Sequence, residues 1–215
     1  VEHASEFRYR HPMLYPTDLV IAVSQSGETA DTLEAIRLSK KLSCSVAGIV
    51  NVTGSSIARE CGQGMYLHAG PEIGVASTKA FTSQITAIIL LNVYLNKDPY
   101  YQADLLEELE QLPEKVKAFF QTQDVKGVAE KYKDAKYFLF MGRDINYPVA
   151  MEGALKLKET SYIPAEGYPA GEMKHGPIAL IDENTPIIFL VTKDNVYEKV
   201  ISNMEEVRSR RGKII

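Results

Sequence analysis

No run of apolar residues in this chain is long enough to cross a membrane. The longest, Ile85 to Leu91, already contains Thr86 and falls far short of the roughly 20 residues a spanning helix needs. No signal peptide is recognisable in the first residues. Cysteine is scarce: only Cys44 and Cys61 occur, with no CxxC pair and no metal-ligand spacing. That pattern excludes a disulfide framework and a structural zinc site. Both thiols read as small apolar residues in a reducing compartment, the cytoplasm. The glycines have the spacing neither of a P-loop nor of a dinucleotide fingerprint, so nucleotide binding is not indicated. Charge of one sign is not concentrated either. The net charge is −4, and basic residues are scattered apart from Arg208-Ser209-Arg210-Arg211, which reads as a solvated helix end. Nucleic acid and membrane surfaces are therefore not expected as partners.

What is present suits a globular protein with one large or two small domains: 215 residues, 45% hydrophobic and 24% charged. The first residue is Val1, and Gly212 to Ile215 reads as a strand that stops. The expectation is a piece of something longer.

One stretch organises the rest. Leu19 to Val23 is an uninterrupted apolar run rich in β-branched residues, which predicts a strand buried on both faces. A polar turn follows: Ser24, Gln25, Ser26, Gly27, Glu28, Thr29. Asp31-Thr32 then leads into Leu33 to Leu42, made largely of helix formers. Strand, small polar turn and helix together make an anion site, because helix N-terminal N–H groups are unpaired and the helix dipole favours negative charge. The hydroxyls of Ser24, Ser26 and Thr29 would add donors, and Gly27 would let the backbone approach closely. By itself the turn fits an ordinary helix cap equally well.

Strands at Val46–Val50 and Met65–His68, with a short helix between them, continue the alternation. Short βα connections predict parallel strands, hence an α/β fold. Ser77 opens a helix to about Asn96, apolar enough to be buried. Residues 98–121 change character: Asp98-Pro99 breaks the helix, Asp104–Leu112 is acidic and amphipathic, and Pro113 starts another helix. Further on, the strand Lys136–Met141, the turn Gly142-Arg143-Asp144 and a helix from near Pro148 repeat the strand-turn-helix unit. The organisation expected is two α/β domains, 1–97 and 122–215, joined by a helical linker at 98–121.

On the helix 148–162, Glu152, Lys156 and Glu159 stand at i, i+4 and i+7 and share a face. A surface row of ion pairs is the ordinary reading. Against it, Ala150, Ala154, Leu155 and Leu157 suggest that more than one face is covered. A carboxylate held beside a lysine in a partly covered pocket can move protons between adjacent carbons. His175 lies in the turn Glu172-Met-Lys-His-Gly-Pro177, where an imidazole could transfer protons near neutral pH.

The string Ser24-Gln-Ser-Gly-Glu-Thr-Ala-Asp-Thr32 resembles the sugar-phosphate loop of SIS (sugar isomerase) domains. Ala4–Arg10, Glu72–Phe81, Glu152–Glu159 and Gly171–Pro177 are similar, more narrowly, to the isomerase half of the glutamine–fructose-6-phosphate aminotransferase family. The resemblance covers essentially the whole chain. It implies two three-layer αβα sandwiches of flavodoxin-like type, both incomplete. It also implies that Ser24, Gln25, Ser26, Thr29 and Ser77 bind the phosphate of fructose 6-phosphate or glucosamine 6-phosphate. Glu159 would be the base between C1 and C2, Lys156 would assist near the developing oxyanion, and His175 would open the sugar ring from a neighbouring subunit. A homodimer with shared sites follows from the same resemblance, and the reaction it implies needs no metal or organic cofactor. The family's glutaminase domain is absent here. Its C-terminal tail, with a Schiff-base lysine, and a strand and phosphate-binding serine ahead of Val1 would lie beyond these residues. A phosphosugar-sensing SIS module and a fructosamine-phosphate deglycase remain alternatives.

Overall fold

A computed structural model describes all residues, 1–215. The chain divides into two compact units, Val1–Val116 and Lys117–Ile215.

The first unit opens with a short helix α1 (Ala4–Phe7), followed by β1 (Leu19–Ser24), α2 (Ala30–Lys41), β2 (Ser45–Val50), α3 (Ser56–Cys61), β3 (Gly64–Tyr66) and α4 (Lys79–Leu95). The strands form one parallel sheet in the order β1-β2-β3, with Leu19 opposite Ser45 and Gly48 opposite Gly64. Side chains alternate along a strand, and here the alternation decides the layering. Ala22 and, more loosely, Val20 point into a core with Val46, Val50, Ile36 of α2 and Ile57 and Cys61 of α3. The other side of β1 is open: Leu19, Ile21 and Val23 are 51%, 39% and 40% exposed. The expectation of a strand buried on both faces is thus corrected. The apolar run is there, but helices cover only one face of it. The apolar helix α4 is corrected in the same way, since only Ala80 and Val93 are buried.

Helix α5 (Pro99–Thr122) runs unbroken through Pro113, where the sequence suggested two helices. Pro113 removes one N–H, so the Leu109 carbonyl loses its helical partner. No residue of α5 is buried, so water can satisfy that carbonyl. The Lys115–Glu108 ion pair spans the proline.

The second unit contains α6 (Val125–Tyr132), β4 (Phe138–Gly142), α7 (Asn146–Ser161), β5 (Ala165–Pro169), β6 (Pro186–Phe189), α8 (Tyr197–Ser209) and β7 (Lys213–Ile214). All four strands are parallel, in the order β5-β4-β6-β7. Every residue of β4 is buried. Leu139 and Met141 join one core with Ile187, Val200 and Val207 of α8. Phe138 and Phe140 join the opposite core with Ala150 and Ala154 of α7. Two cores on two faces make this unit a three-layer αβα sandwich. Residues Ala165–Pro169 carry no strand pattern in the sequence. They form β5 at a sheet edge, where Gly167 and the terminal Pro169 are tolerated.

Candidate functional site

The β1–α2 turn holds its hydroxyls together by local geometry. Gly27 has φ +70° and is buried. Its N–H donates to Ser24 Oγ at 3.1 Å. Ser24 Oγ and Thr29 Oγ1 lie 3.5 Å apart, and the Glu28 N–H donates to Ser26 Oγ at 3.2 Å. Gln25 and Ser26 are half-buried, Ser24 is buried and Thr29 is exposed. Thr29 is the N-cap residue of α2, yet its side chain makes no capping hydrogen bond. A capping residue would use its hydroxyl on the helix N–H groups. Here the Thr29 hydroxyl lies instead beside Ser24 Oγ, and the first-turn N–H groups of α2 could take an anion at its positive end.

Ser77 stands in a different arrangement. Helix α4 starts at Lys79 with Thr78 as its N-cap, and neither residue caps it. A carboxylate from the preceding loop does so instead. Glu72 accepts the Ala80 N–H at 2.8 Å, and the hydroxyls of Ser77 and Thr78 donate to it at 3.4 and 3.2 Å. The Ala80 N–H, ahead of the hydroxyls, holds the Glu72 carboxyl below its ordinary range. The structure does not bond Ser77 to Ser24, Gln25, Ser26 or Thr29. Glu72 was assigned no role in the sequence. The signal lay in its position six residues ahead of Thr78, a longer reach than a capping box.

In the second unit, Lys156 Nζ lies 2.6 Å from Glu159 Oε2 and 3.4 Å from Glu152 Oε1, with all three side chains 23–27% exposed. This row is half-covered, unlike a freely solvated ion-pair row. Burial alone would lower the Lys156 pKa. The hydrogen bond to Glu159 and the charge of Glu152 outweigh it, and the net shift is upward. Lys156 is therefore a cation shared by two carboxylates. The second, Glu152, was recognised in the sequence only as part of the row. His175 ends a 3₁₀ helix, Ala170–His175, just before Gly176 at φ 145°, and is exposed. No hydrogen bond or ion pair joins it to the α7 row. No group of His, Cys, Asp and Glu side chains is placed to hold a metal ion.

The SIS domain family matches residues 1–94 and 131–215. Over its whole length the chain is 56% identical to glutamine–fructose-6-phosphate aminotransferase [isomerizing] of Chlorobaculum tepidum and 53% identical to that of Aquifex aeolicus. It spans 36% of the length of each of these curated relatives. Among solved structures, the C-terminal domain of glucosamine-fructose-6-phosphate aminotransferase from Francisella tularensis superposes with a TM-score of 0.95 at 44% identity. That likeness covers 99% of this chain and 62% of the other. With the family match extending over residues of both units, this chain belongs to the SIS domain family.

Proposed function

We propose that this chain is the isomerase part of a glucosamine-6-phosphate synthase, which turns fructose 6-phosphate and ammonia into glucosamine 6-phosphate and water. The observation that carries the reading is the half-covered Glu159–Lys156 pair at 2.6 Å, in a chain so similar to the named aminotransferases. The phosphate sits on the β1–α2 turn against the hydroxyls of Ser24, Ser26 and Thr29, with Gln25 beside them and Ser77 as a further donor once its hydroxyl turns from Glu72. His175, contributed by a second copy of the chain, takes the anomeric hydroxyl proton and protonates the ring oxygen, so that the ring opens. Ammonia adds to C2 and water leaves, giving an imine. Glu159 removes the C1 proton and returns it to C2, while the C1 hydroxyl proton passes to the imine nitrogen, so that C1 becomes an aldehyde and C2 carries the amine. Lys156, positive and close by, stabilises negative charge on the oxygen at C1 while the proton is in transit.

A glutaminase domain elsewhere in the whole protein supplies the ammonia. The protein works as a homodimer in the cytoplasm; the free, buried thiols of Cys44 and Cys61 support a reducing compartment. The sequence division, domains at 1–97 and 122–215 with a helical linker, remains our proposal for the functional boundaries.

The test pairs two measurements. Calorimetric titration with glucosamine 6-phosphate is expected to give saturable binding that Ser26→Ala and Thr29→Ala both weaken. NMR of fructose 6-phosphate in D2O is expected to show deuterium entering at carbon, slowed about 10²- to 10⁴-fold by Glu159→Gln. Binding without exchange, in this chain and in one extended at both ends, would replace the enzyme by a sensing module. Absence of binding by the folded chain would overturn the placement of the phosphate.

A further inference from the structure

The phosphate-type turn does not stand alone. Its far side is fastened to the loop between β2 and α3. The Ile57 N–H donates to the Gly27 carbonyl at 2.8 Å. The Ser56 N–H donates to Glu28 Oε1, also at 2.8 Å. Both are first-turn donors of α3, which have no partner inside their own helix. The receiving loop is itself braced: Arg59 donates to Ser56 Oγ at 3.0 Å and to the Gly54 carbonyl. Ser55, 3% exposed, lies directly behind Gly27, with its hydroxyl unbonded. The Glu28 backbone N–H meanwhile holds Ser26 Oγ at 3.2 Å. Glu28 thus connects the two loops, with its main chain on the serine and its side chain on α3.

A carboxylate next to an anion-binding turn is unfavourable unless its charge is directed elsewhere. Here it is directed to the Ser56 side chain and N–H, with the Arg59 charge also acting on it. Resting on the sugar-phosphate reading given above, we infer that Glu28 is a positioning residue. It never touches the substrate. Its carboxylate anchors the turn to the β2–α3 loop, and so keeps the Ser24, Ser26 and Thr29 hydroxyls turned to one phosphate.

The variants are Glu28→Ala, which removes the acceptor, and Glu28→Gln, which keeps an oxygen for the Ser56 N–H and removes only the charge. Hydrogen exchange followed residue by residue reads the anchor without any ligand. In Glu28→Ala, exchange at Ser56, Ile57, Gly27 and Glu28 is expected to rise while the second unit is unchanged. Unchanged exchange there overturns the anchor. Titration with glucosamine 6-phosphate reads its consequence. Affinity is expected to fall about tenfold in Glu28→Ala, the scale of one lost hydrogen bond to a charged group, and to stay within about threefold of wild type in Glu28→Gln. A loosened anchor with undiminished affinity overturns the positioning role, because α3 capping alone would lower stability and leave binding intact. Should Glu28→Ala fail to fold, the wild type decides. Glucosamine 6-phosphate is expected to slow exchange at Ser56 and Ile57 together with Gly27 and Glu28, and protection of the turn alone overturns the inference. If the folded wild type binds no phosphosugar, the sugar-phosphate reading fails, while the exchange data still judge the anchor.

Discussion

Replacing Gly27 by alanine tests the geometry of the β1–α2 turn most sharply. Two independent costs are visible. At φ +70° an alanine adopts a left-handed conformation, which costs an L-residue about 1–2 kcal/mol. Its methyl would also overlap both Oγ and Cβ of Ser55, which is 3% exposed and has little room to move. Overpacking of this kind costs about 1–3 kcal/mol. The sum, about 2–5 kcal/mol, is a large part of the stability of an ordinary domain. The partner substitution separates the two costs. Ser55→Gly removes both overlapping atoms, so in that background Gly27→Ala is expected to cost only its conformational share, about 1–2 kcal/mol. The coupling in this double-mutant cycle is therefore about 1–3 kcal/mol. The assay is urea denaturation read as a shift in midpoint at constant slope. Equal costs in the two backgrounds would refute the claim that Gly27 is required by its approach to Ser55. A total cost under about 0.5 kcal/mol would refute the left-handed geometry as well.

Lys156→Met is expected to lower turnover by about 10²-fold or more, yet to change unfolding free energy by about 1 kcal/mol or less, because the pairs are partly solvated. Equal effects on both, measured by assay and denaturation side by side, would make the row structural. Because the Lys156 pKa is raised, its pairs stabilise fully below the ordinary lysine value of 10.5 and lose that contribution as pH rises through the higher folded value. The wild type but not Lys156→Met is expected to show this alkaline loss in denaturation midpoints. Asp182 runs the other way. The Asn184 N–H, then the Thr185 hydroxyl at 2.8 Å, hold its carboxyl below the usual 3.8. Its stabilising effect is present above that value and disappears as pH falls through the lower folded one. Asp182→Asn is expected to flatten the acid limb of the stability profile, and an unchanged limb would contradict the assignment.

Much of the fold could be read from local pattern. The runs at 19–23 and 46–50, and 136–141 after its leading Lys136, are strands within a residue or two, because β-branched and aromatic residues have few other uses. Their parallel pairing followed from the helices between them. Strand β5 was harder to see. Its residues Ala165, Glu166, Gly167, Tyr168 and Pro169 have poor strand propensity and no alternation, and only pairing with β4 makes them a strand. The unbroken course of α5 through Pro113 was likewise hidden, since an interior proline usually kinks or breaks a helix by its missing N–H and its clash with the i−4 carbonyl.

For the candidate site, the sequence by itself determined which chemical groups are present and how they share a face. Spacings of four and three put Glu152, Lys156 and Glu159 on one side of any helix, and Ser24 to Thr29 had to form a turn after a strand. Tertiary structure alone decided how those groups are used. Covering α7 on one side leaves its row half-buried, a property of neighbours far away in sequence. Glu28 looked like an ordinary turn residue until α3, 28 residues on, presented the Ser56 N–H to it. Burial of β1 was likewise settled in space: its composition made it apolar, but only α2 and α3 determined which of its two faces would be covered. The physical reason is the same in each case. Periodicity and propensity act over a few bonds, whereas desolvation and hydrogen-bond partners depend on atoms that only folding brings near.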